Sequence, residues 1–162
     1  MAVFSQILLN EGLWVAVGSL TAIVSVVLSA VSIVCSNKTR KRQATYDAFS
    51  ELKKDVFYLE EEIKAYDIDE ILAIHKQNKS SKEWINIKEY LSKIGRFATC
   101  VNNKVFDSET VCRMGGPYLV EMYKKLKPII EYKRQENQRE TVYSEFEIMV
   151  NELKELGKKY QK

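Results

Sequence analysis

The pattern of apolar and polar positions divides the chain into one long uncharged stretch and a series of amphipathic segments. No charged residue occurs between Gly12 and Asn37, and apolar residues dominate from Leu13 to Cys35. At a rise of ~1.5 Å per residue this stretch forms a helix of about 35 Å, longer than the roughly 30 Å hydrocarbon core of a bilayer. The pattern therefore predicts a transmembrane helix over residues 13–36, preceded by an external or interfacial segment over 1–12.

The small residues of this stretch recur at alternating steps of four and three. They are Gly18, Ala22, Ser25, Ser29, Ser32 and Ser36. This period places them on one stripe of a helix that can supercoil, and small side chains let helices approach closely. Two interpretations stay open, a helix-packing face and a weakly polar pore lining in a homo-oligomer. Glu11 lies on the upstream extension of the stripe, where it is either a pore mouth or an interfacial residue.

Beyond residue 36 the apolar residues follow the spacing of amphipathic helices. Residues 37–66 predict a long stalk helix, and the acidic run Glu60–Glu62 is placed on its solvated side. The apolar face of this helix consists of Phe49, Leu52, Val56, Leu59, Ile63 and Tyr66.

Residues 67–162 predict a domain built from further helices. One covers residues 83–102, and its predicted apolar face consists of Trp84, Ile87, Tyr90, Leu91, Ile94, Phe97, Ala98 and Val101. Asp107 or Ser108 caps the next helix. Paired glycines before Pro117 are expected to interrupt that helix, Pro128 to kink its continuation near Lys124, and a last helix to run over 139–159. No stretch alternates apolar and polar residues with the period of two that is typical of a β-strand. The predicted fold is therefore all-α, with one N-terminal transmembrane helix running into a long stalk helix and a cytoplasmic helical bundle.

The distribution of charge predicts an orientation for the span. Four basic residues follow it directly and none precedes it, although the chain as a whole carries a net charge of only +3. These residues are Lys38, Arg40, Lys41 and Arg42. Because positive charge is retained on the cytoplasmic side, the pattern predicts a single-pass protein of the cell inner membrane with its N-terminus outside.

Residues suited to catalysis or metal binding are sparse. His75 is the single histidine and is expected at the surface, and the three cysteines lack the spacing of metal ligands. The chain contains no phosphate-binding loop or dinucleotide-binding glycine motif. The sequence therefore predicts no enzyme, no catalytic residue, no metal site and no cofactor.

Basic and aromatic residues alternate in one helical region after residue 117. The candidate ligand-binding residues there are Tyr123, Lys124, Lys125, Lys127, Tyr132, Lys133, Arg134 and Arg139. Lysine and arginine bind phosphates and tyrosine rings stack on unpaired bases, so the region predicts a nucleotide or oligonucleotide ligand. The other interpretation, a solvated helix face with structural tyrosines, stays open.

Residues Ile87–Glu136 resemble a large bacterial family of single-span proteins with a cytoplasmic helical domain of unassigned function. The resemblance rests on the helix and polar turn over 90–103, the restart over 105–111 and the run over 123–134 around Pro128. In plan the chain is similar to the Hailong-type antiphage membrane effector, an ion channel that DNA oligomers hold shut. This resemblance implies a ligand-gated, homo-oligomeric pore in antiphage defence with a partner nucleotidyltransferase. The alternative is a membrane-tethered adaptor that binds a protein partner through its helical domain.

Overall fold

The computed structural model describes the backbone of residues 2–77 and 81–160, and the side chains of residues 24–75 and 81–160. Within these residues the protein consists of five α-helices, α1 (Ala2–Ala65), α2 (Ile68–Gln77), α3 (Lys82–Asn102), α4 (Ser108–Asn137) and α5 (Ser144–Tyr160). The chain divides into two compact units, residues 1–40 and residues 41–162. The all-α part of the prediction is confirmed.

The predicted N-terminal transmembrane helix is wrong. None of the helices in the described part of the chain is long and apolar enough to cross a membrane. The described side chains of α1 begin at Val24, and Lys38, Arg40 and Lys41 fall within the next eighteen positions. Charged side chains so close to one another are costly inside hydrocarbon. The predicted inner-membrane location depended on this helix and stays an untested prediction.

The second unit has one hydrophobic core, to which α1 contributes its residues after Lys41. Its apolar positions recur with the helical period, so they share the face that turns inward. Phe49, Val56, Leu59 and Ile63 are buried as predicted, and the apolar face predicted for α3 is buried at every position. Those α3 residues are Trp84, Ile87, Tyr90, Leu91, Ile94, Phe97, Ala98 and Val101.

Side-chain caps begin α3 and α4. The Ser81 hydroxyl accepts a hydrogen bond from the Trp84 backbone N–H at 3.3 Å, and the Asp107 carboxylate accepts one from the Thr110 N–H at 3.0 Å. Each cap satisfies a donor that the first helical turn leaves open. The Asp107 N–H in turn donates to the buried Thr45 hydroxyl at 2.8 Å, which connects the start of α4 to α1.

Helix α4 consists of two helical stretches that meet at a kink at Gly115, so the interruption predicted at the paired glycines is confirmed. Its only non-helical backbone is at Gly115 (φ −167°, ψ 19°), and helix resumes at once with Pro117 inside it. The backbone keeps helical angles near Lys124, where the sequence predicts a kink. Pro128 removes one N–H donor, but both Lys124 and Pro128 are exposed, so water can bind the carbonyl that loses its partner.

A tight turn brings α5 back along α4 in the opposite direction. Gln138 and Tyr143 both have left-handed backbones, with φ of 51° and 57°, and the Arg139 N–H bonds to the Arg134 carbonyl at 3.1 Å. This hydrogen bond is typical of a helix C-terminus. Helix α5 therefore begins at Ser144 and not at Arg139 as predicted.

Candidate functional site

A groove of about 600 Å³ lies between the N-terminal half of α4 and the C-terminal half of α5. Its lining residues are Cys112, Arg113, Gly116, Pro117, Val120, Lys124, Leu153, Lys154, Gly157, Lys158 and Tyr160. This volume is within the range of about 300–1,000 Å³ that is usual for small-molecule sites.

The floor of the groove is apolar and has little side-chain bulk at its centre. Cys112 is buried against Leu153, with its thiol donating to the Leu153 carbonyl at 3.7 Å. Burial raises the pKa of this thiol, so it stays protonated at neutral pH. Gly116 and Gly157 supply backbone without a side chain, and a Cβ added at Gly157 would meet no atom within 4 Å.

The rim of the groove is positively charged. It carries Arg113, Lys124, Lys154 and Lys158, and no acidic residue is among the described residues that line it. Lys158 bonds to Glu155 at 2.7 Å, but both side chains are more than 70% exposed, so water screens this pair. A concave surface lined by one sign of charge concentrates ligands of the opposite sign.

The antiparallel packing of α4 and α5 gives the groove two chemically different ends. At one end the Arg113 guanidinium lies 5.0 Å from the centre of the Tyr160 ring. At the other end Lys124 lines the groove together with Lys154, whose Nζ lies 5.8 Å from the Tyr123 ring. One end is therefore aromatic and the other is purely cationic.

A second, smaller hollow of about 260 Å³ lies between α3 and the turn that precedes α5. Its lining includes both Arg96 and Glu145, and the Glu145 carboxylate already accepts a hydrogen bond from Asn102 at 2.7 Å. The mixed charge makes it a weaker candidate than the groove.

Of the predicted ligand-binding cations, Lys124 is the one that lines the groove. Lys125 donates to the Lys64 carbonyl at 2.5 Å, and Lys127 pairs with Glu131 at 3.5 Å. Lys133 pairs with Glu136, and Arg139 is exposed on the turn before α5. The structure therefore does not bring the predicted cations together at one site.

Of the predicted tyrosines, Tyr123 belongs to the core and Tyr132 packs against it. Tyr123 is 4% exposed and packs edge-on against Phe146, and burial, together with a hydrogen bond to Glu147, raises its pKa to about 12. The Tyr132 ring packs at nearly right angles to the rings of His75 and Trp84. Tyr123 is buried and Tyr132 is half-buried against the core, and these contacts favour the structural interpretation of the two tyrosines.

His75 is buried and not at the surface as predicted. It is 2% exposed, and its ring stacks on Trp84 at 3.5 Å between centroids. In the described part of the chain no three acidic, cysteine or histidine residues are close enough to hold a metal ion.

Glu60 is also buried, although the sequence places it on a solvated face. It is 2% exposed, and Lys53 donates to its carboxylate at 2.7 Å. The Lys53 ammonium also lies 3.8 Å from the centre of the Tyr118 ring. Burial, followed by the nearby Tyr90 and Glu60, raises the pKa of Tyr118 far above its usual value, so the phenol is neutral. This cluster stabilises the contact of α1 with α4.

The small-residue stripe is only partly within the described side chains. Glu11, Gly18 and Ala22 lie outside them. Ser25, Ser29, Ser32 and Ser36 are exposed, and the Ser29 hydroxyl donates to the Ser25 carbonyl of its own helix at 2.8 Å. Neither the packing nor the pore interpretation of the stripe is tested by these contacts.

Sequence reasoning missed most of the groove. Lys154, Lys158 and Tyr160 were not among the predicted ligand residues, although Lys158 and Tyr160 form a basic and aromatic last turn of α5. The basic and aromatic residues of this turn were the sequence signal that could have identified this part of the groove. Its significance depends on the contact with Arg113, which is 47 positions away in the chain.

An ion pair links the C-terminal part of α4 to the N-terminal part of α5. Arg134 of α4 donates to Glu147 of α5 at 2.7 Å and to the Val142 carbonyl at 3.0 Å. The hydrogen bond from Arg134 holds the pKa of Glu147 below its usual value. Because the folded pKa is depressed, this stabilisation is present above a pH of about 4.5 and is lost as the pH falls through the folded value.

We expect Glu147→Gln to lower the free energy of unfolding at pH 7 by about 1 kcal/mol, as is usual for a half-exposed pair. The deficit relative to the unsubstituted protein should shrink at acid pH, once the pH has fallen through the depressed pKa of folded Glu147 and its carboxylate is protonated in both states. Urea unfolding at the two pH values measures this. Glu155→Gln, which removes a well-exposed carboxylate of α5, is the control and should change stability little. An equal deficit at both pH values would contradict the assignment.

Comparison with known proteins gives a family and no further relative. A family model described as a domain of unknown function (DUF4760) matches residues 19–153. No curated protein and no solved structure matches the chain. The matched residues include the whole α4 wall of the groove, and the cationic and aromatic residues of α5 follow directly after them.

Proposed function

We propose that this chain, which belongs to the DUF4760 family of domains of unknown function, is a regulatory module that binds a phosphorylated ligand in the groove between α4 and α5. The observation that carries the proposal is the positively charged rim above an apolar floor. Lysine and arginine side chains bind phosphate oxygens through charge-assisted hydrogen bonds, which are the stronger class of hydrogen bond in proteins.

The rim cations are available to bind an anionic ligand. Among the described residues, no carboxylate lies within ion-pair distance of Arg113, Lys124 or Lys154. Cations that line one groove repel one another, and an anion in the groove relieves that repulsion. A phosphorylated ligand therefore gains both direct contacts and the relief of this repulsion.

Binding is a better assignment than covalent chemistry for this groove. The Cys112 thiol in its floor is protonated, because burial raises its pKa, and it already donates to Leu153. A nucleophilic cysteine requires a lowered pKa and an exposed sulfur atom. We therefore assign the groove the recognition of a ligand and not its turnover.

The wider role implied by the family resemblance stays a prediction. It includes antiphage defence, control by a nucleotide or oligonucleotide, and a partner nucleotidyltransferase. The pore is not part of the proposal, since it depended on a transmembrane helix and no helix in the described part of the chain is long and apolar enough to cross a membrane. The groove proposal requires only that an anionic ligand bind the helical domain.

A second candidate function, a scaffold that binds other protein chains, is favoured by a different observation. Seven large apolar side chains between residues 24 and 34 of α1 are 50–69% exposed. They are Val24, Val26, Val27, Leu28, Val31, Ile33 and Val34. Exposed apolar surface of this extent on one helix is characteristic of interaction sites. Light scattering of the purified chain would show assembly if copies of the chain cover this surface.

Charge reversal on the rim tests the proposed function. We expect inorganic tripolyphosphate to bind the protein in calorimetry at low salt, and Lys124→Glu combined with Lys154→Glu to weaken binding at least tenfold, because attraction becomes repulsion. Binding should also weaken as salt is added, since salt screens these exposed charges.

Lys127→Glu is the matched control for Lys124→Glu alone, since it makes the same single charge reversal on α4 outside the groove. It should alter the affinity less than twofold. An equal loss in the control would show non-specific attraction and contradict the site. Failure of the unsubstituted protein to bind tripolyphosphate or any nucleotide would overturn the proposed function.

A further inference from the structure

We infer that the ligand of the groove carries a planar aromatic ring as well as phosphate, as a nucleotide does, and that the two parts bind at opposite ends of the groove. This inference rests on the proposed function and adds a second chemical group that the groove recognises, the aromatic ring of the ligand. It follows from the direction of the groove, the aromatic residue at one end and the two glycines among its lining residues.

The two ends are separated by a distance that suits an elongated ligand. Arg113 and Lys124 line the same wall on either side of the kink at Gly115, and the seven helical positions from Pro117 to Lys124 alone correspond to about 10 Å. Because α5 runs antiparallel to α4, Tyr160 faces Arg113 while Lys154 lies at the Lys124 end. A ligand lying along the groove therefore contacts different chemistry at each of its ends.

The end formed by Arg113 and Tyr160 suits an aromatic ring. The guanidinium lies 5.0 Å from the ring centre, and Tyr160 keeps 42% of its surface exposed. Guanidinium and phenol groups both stack face-on against the rings of bases. Pro117 and Val120 supply apolar surface on the neighbouring wall. Phosphate alone makes no use of the Tyr160 ring or of this apolar wall.

Glycine lines both walls of the groove, at Gly116 on α4 and Gly157 on α5. A Cβ at Gly116 would approach the Cys112 sulfur to 3.3 Å, so close packing accounts for glycine at that position. Gly157 has no such reason, since a Cβ there would meet nothing within 4 Å. Glycine costs helix stability relative to alanine. Open space for a ligand between the two ends accounts for glycine at this position.

Three probes separate this inference from the proposed function. Calorimetry compares ATP, inorganic tripolyphosphate and adenosine on the full chain. We expect ATP to bind at least tenfold more tightly than tripolyphosphate, and adenosine to bind weakly. Tyr160→Ala should weaken ATP about tenfold and leave tripolyphosphate unchanged, whereas the combined Lys124→Glu and Lys154→Glu variant should weaken both.

Gly157→Leu tests the open centre of the groove. It should reduce ATP binding at least tenfold, and Gly95→Leu is its control, because Gly95 also lies on a helix with nothing within 4 Å but lines the other hollow. Circular dichroism confirms that each variant is folded. Equal affinity for ATP and tripolyphosphate, or equal losses for both in Tyr160→Ala, would overturn the aromatic site and leave phosphate binding intact. Binding of neither probe would overturn both proposals.

Discussion

Lys53→Met is expected to lower the free energy of unfolding by about 3 kcal/mol, the largest single effect that we predict. The substitution keeps the length of the side chain and removes the ammonium that bonds to Glu60 at 2.7 Å. Glu60 is 2% exposed, so its carboxylate would remain buried without a charge partner. Removal of one partner of a buried pair typically costs about 3–5 kcal/mol, and the low end applies because the Lys53 side chain is 40% exposed.

Urea unfolding followed by circular dichroism measures this effect. Lys54→Met is the matched control, since Lys54 is the neighbouring exposed lysine of the same helix, and it should change stability by less than about 0.5 kcal/mol. Combining Lys53→Met with Glu60→Leu should recover most of the loss, because no charge is then buried. A loss in the double variant as large as in Lys53→Met alone would show that the charge of Glu60 is not the cause.

Gly115→Ala is expected to destabilise the protein by about 2 kcal/mol, although alanine normally stabilises helices. A Cβ at this position would lie 2.7 Å from Cζ of the Phe49 ring. Phe49 is buried and packs against Phe97 with ring centres 5.6 Å apart, so the ring has little room to move away. The added methyl group must therefore push α1 and α4 apart or force Phe49 out of its preferred rotamer.

Gly95→Ala is the control for this experiment, because a Cβ at Gly95 meets no atom within 4 Å. We expect it to stabilise the protein by about 0.5–1 kcal/mol. Phe49→Leu removes the atom that clashes, so Gly115→Ala should cost less in a Phe49→Leu background than alone. Additive effects of the two substitutions would mean that the contact between Gly115 and Phe49 does not limit the packing.

The faces of the helices could be predicted from the sequence because they follow from local periodicity. Residues three and four apart lie on one side of a helix, so the apolar positions of α1, α3 and α5 identified the buried face directly. The Asp107 cap was predicted for a similar reason, since it involves a residue only three positions away. These features depend on neighbours in sequence, which the chain itself displays.

The burial of Glu60 could not be predicted from local periodicity. Glu60 follows the buried Val56 by four positions and precedes the buried Ile63 by three, so it lies at the edge of the inward face. Whether an edge position is buried depends on which helix packs beside it. Here α4 brings Tyr118 against this position, and the Glu60 carboxylate is enclosed while the partly exposed Lys53 bonds to it.

The sequence alone determined that the chain is helical and which side of most helices faces inward, because propensity and period act within a few residues. The tertiary structure alone decided which charges are buried and where the groove lies. The Arg113 guanidinium meets the Tyr160 ring only because the left-handed residues Gln138 and Tyr143 turn α5 back along α4. A contact between residues 47 positions apart depends on the packing of two helices, and no local pattern encodes that packing.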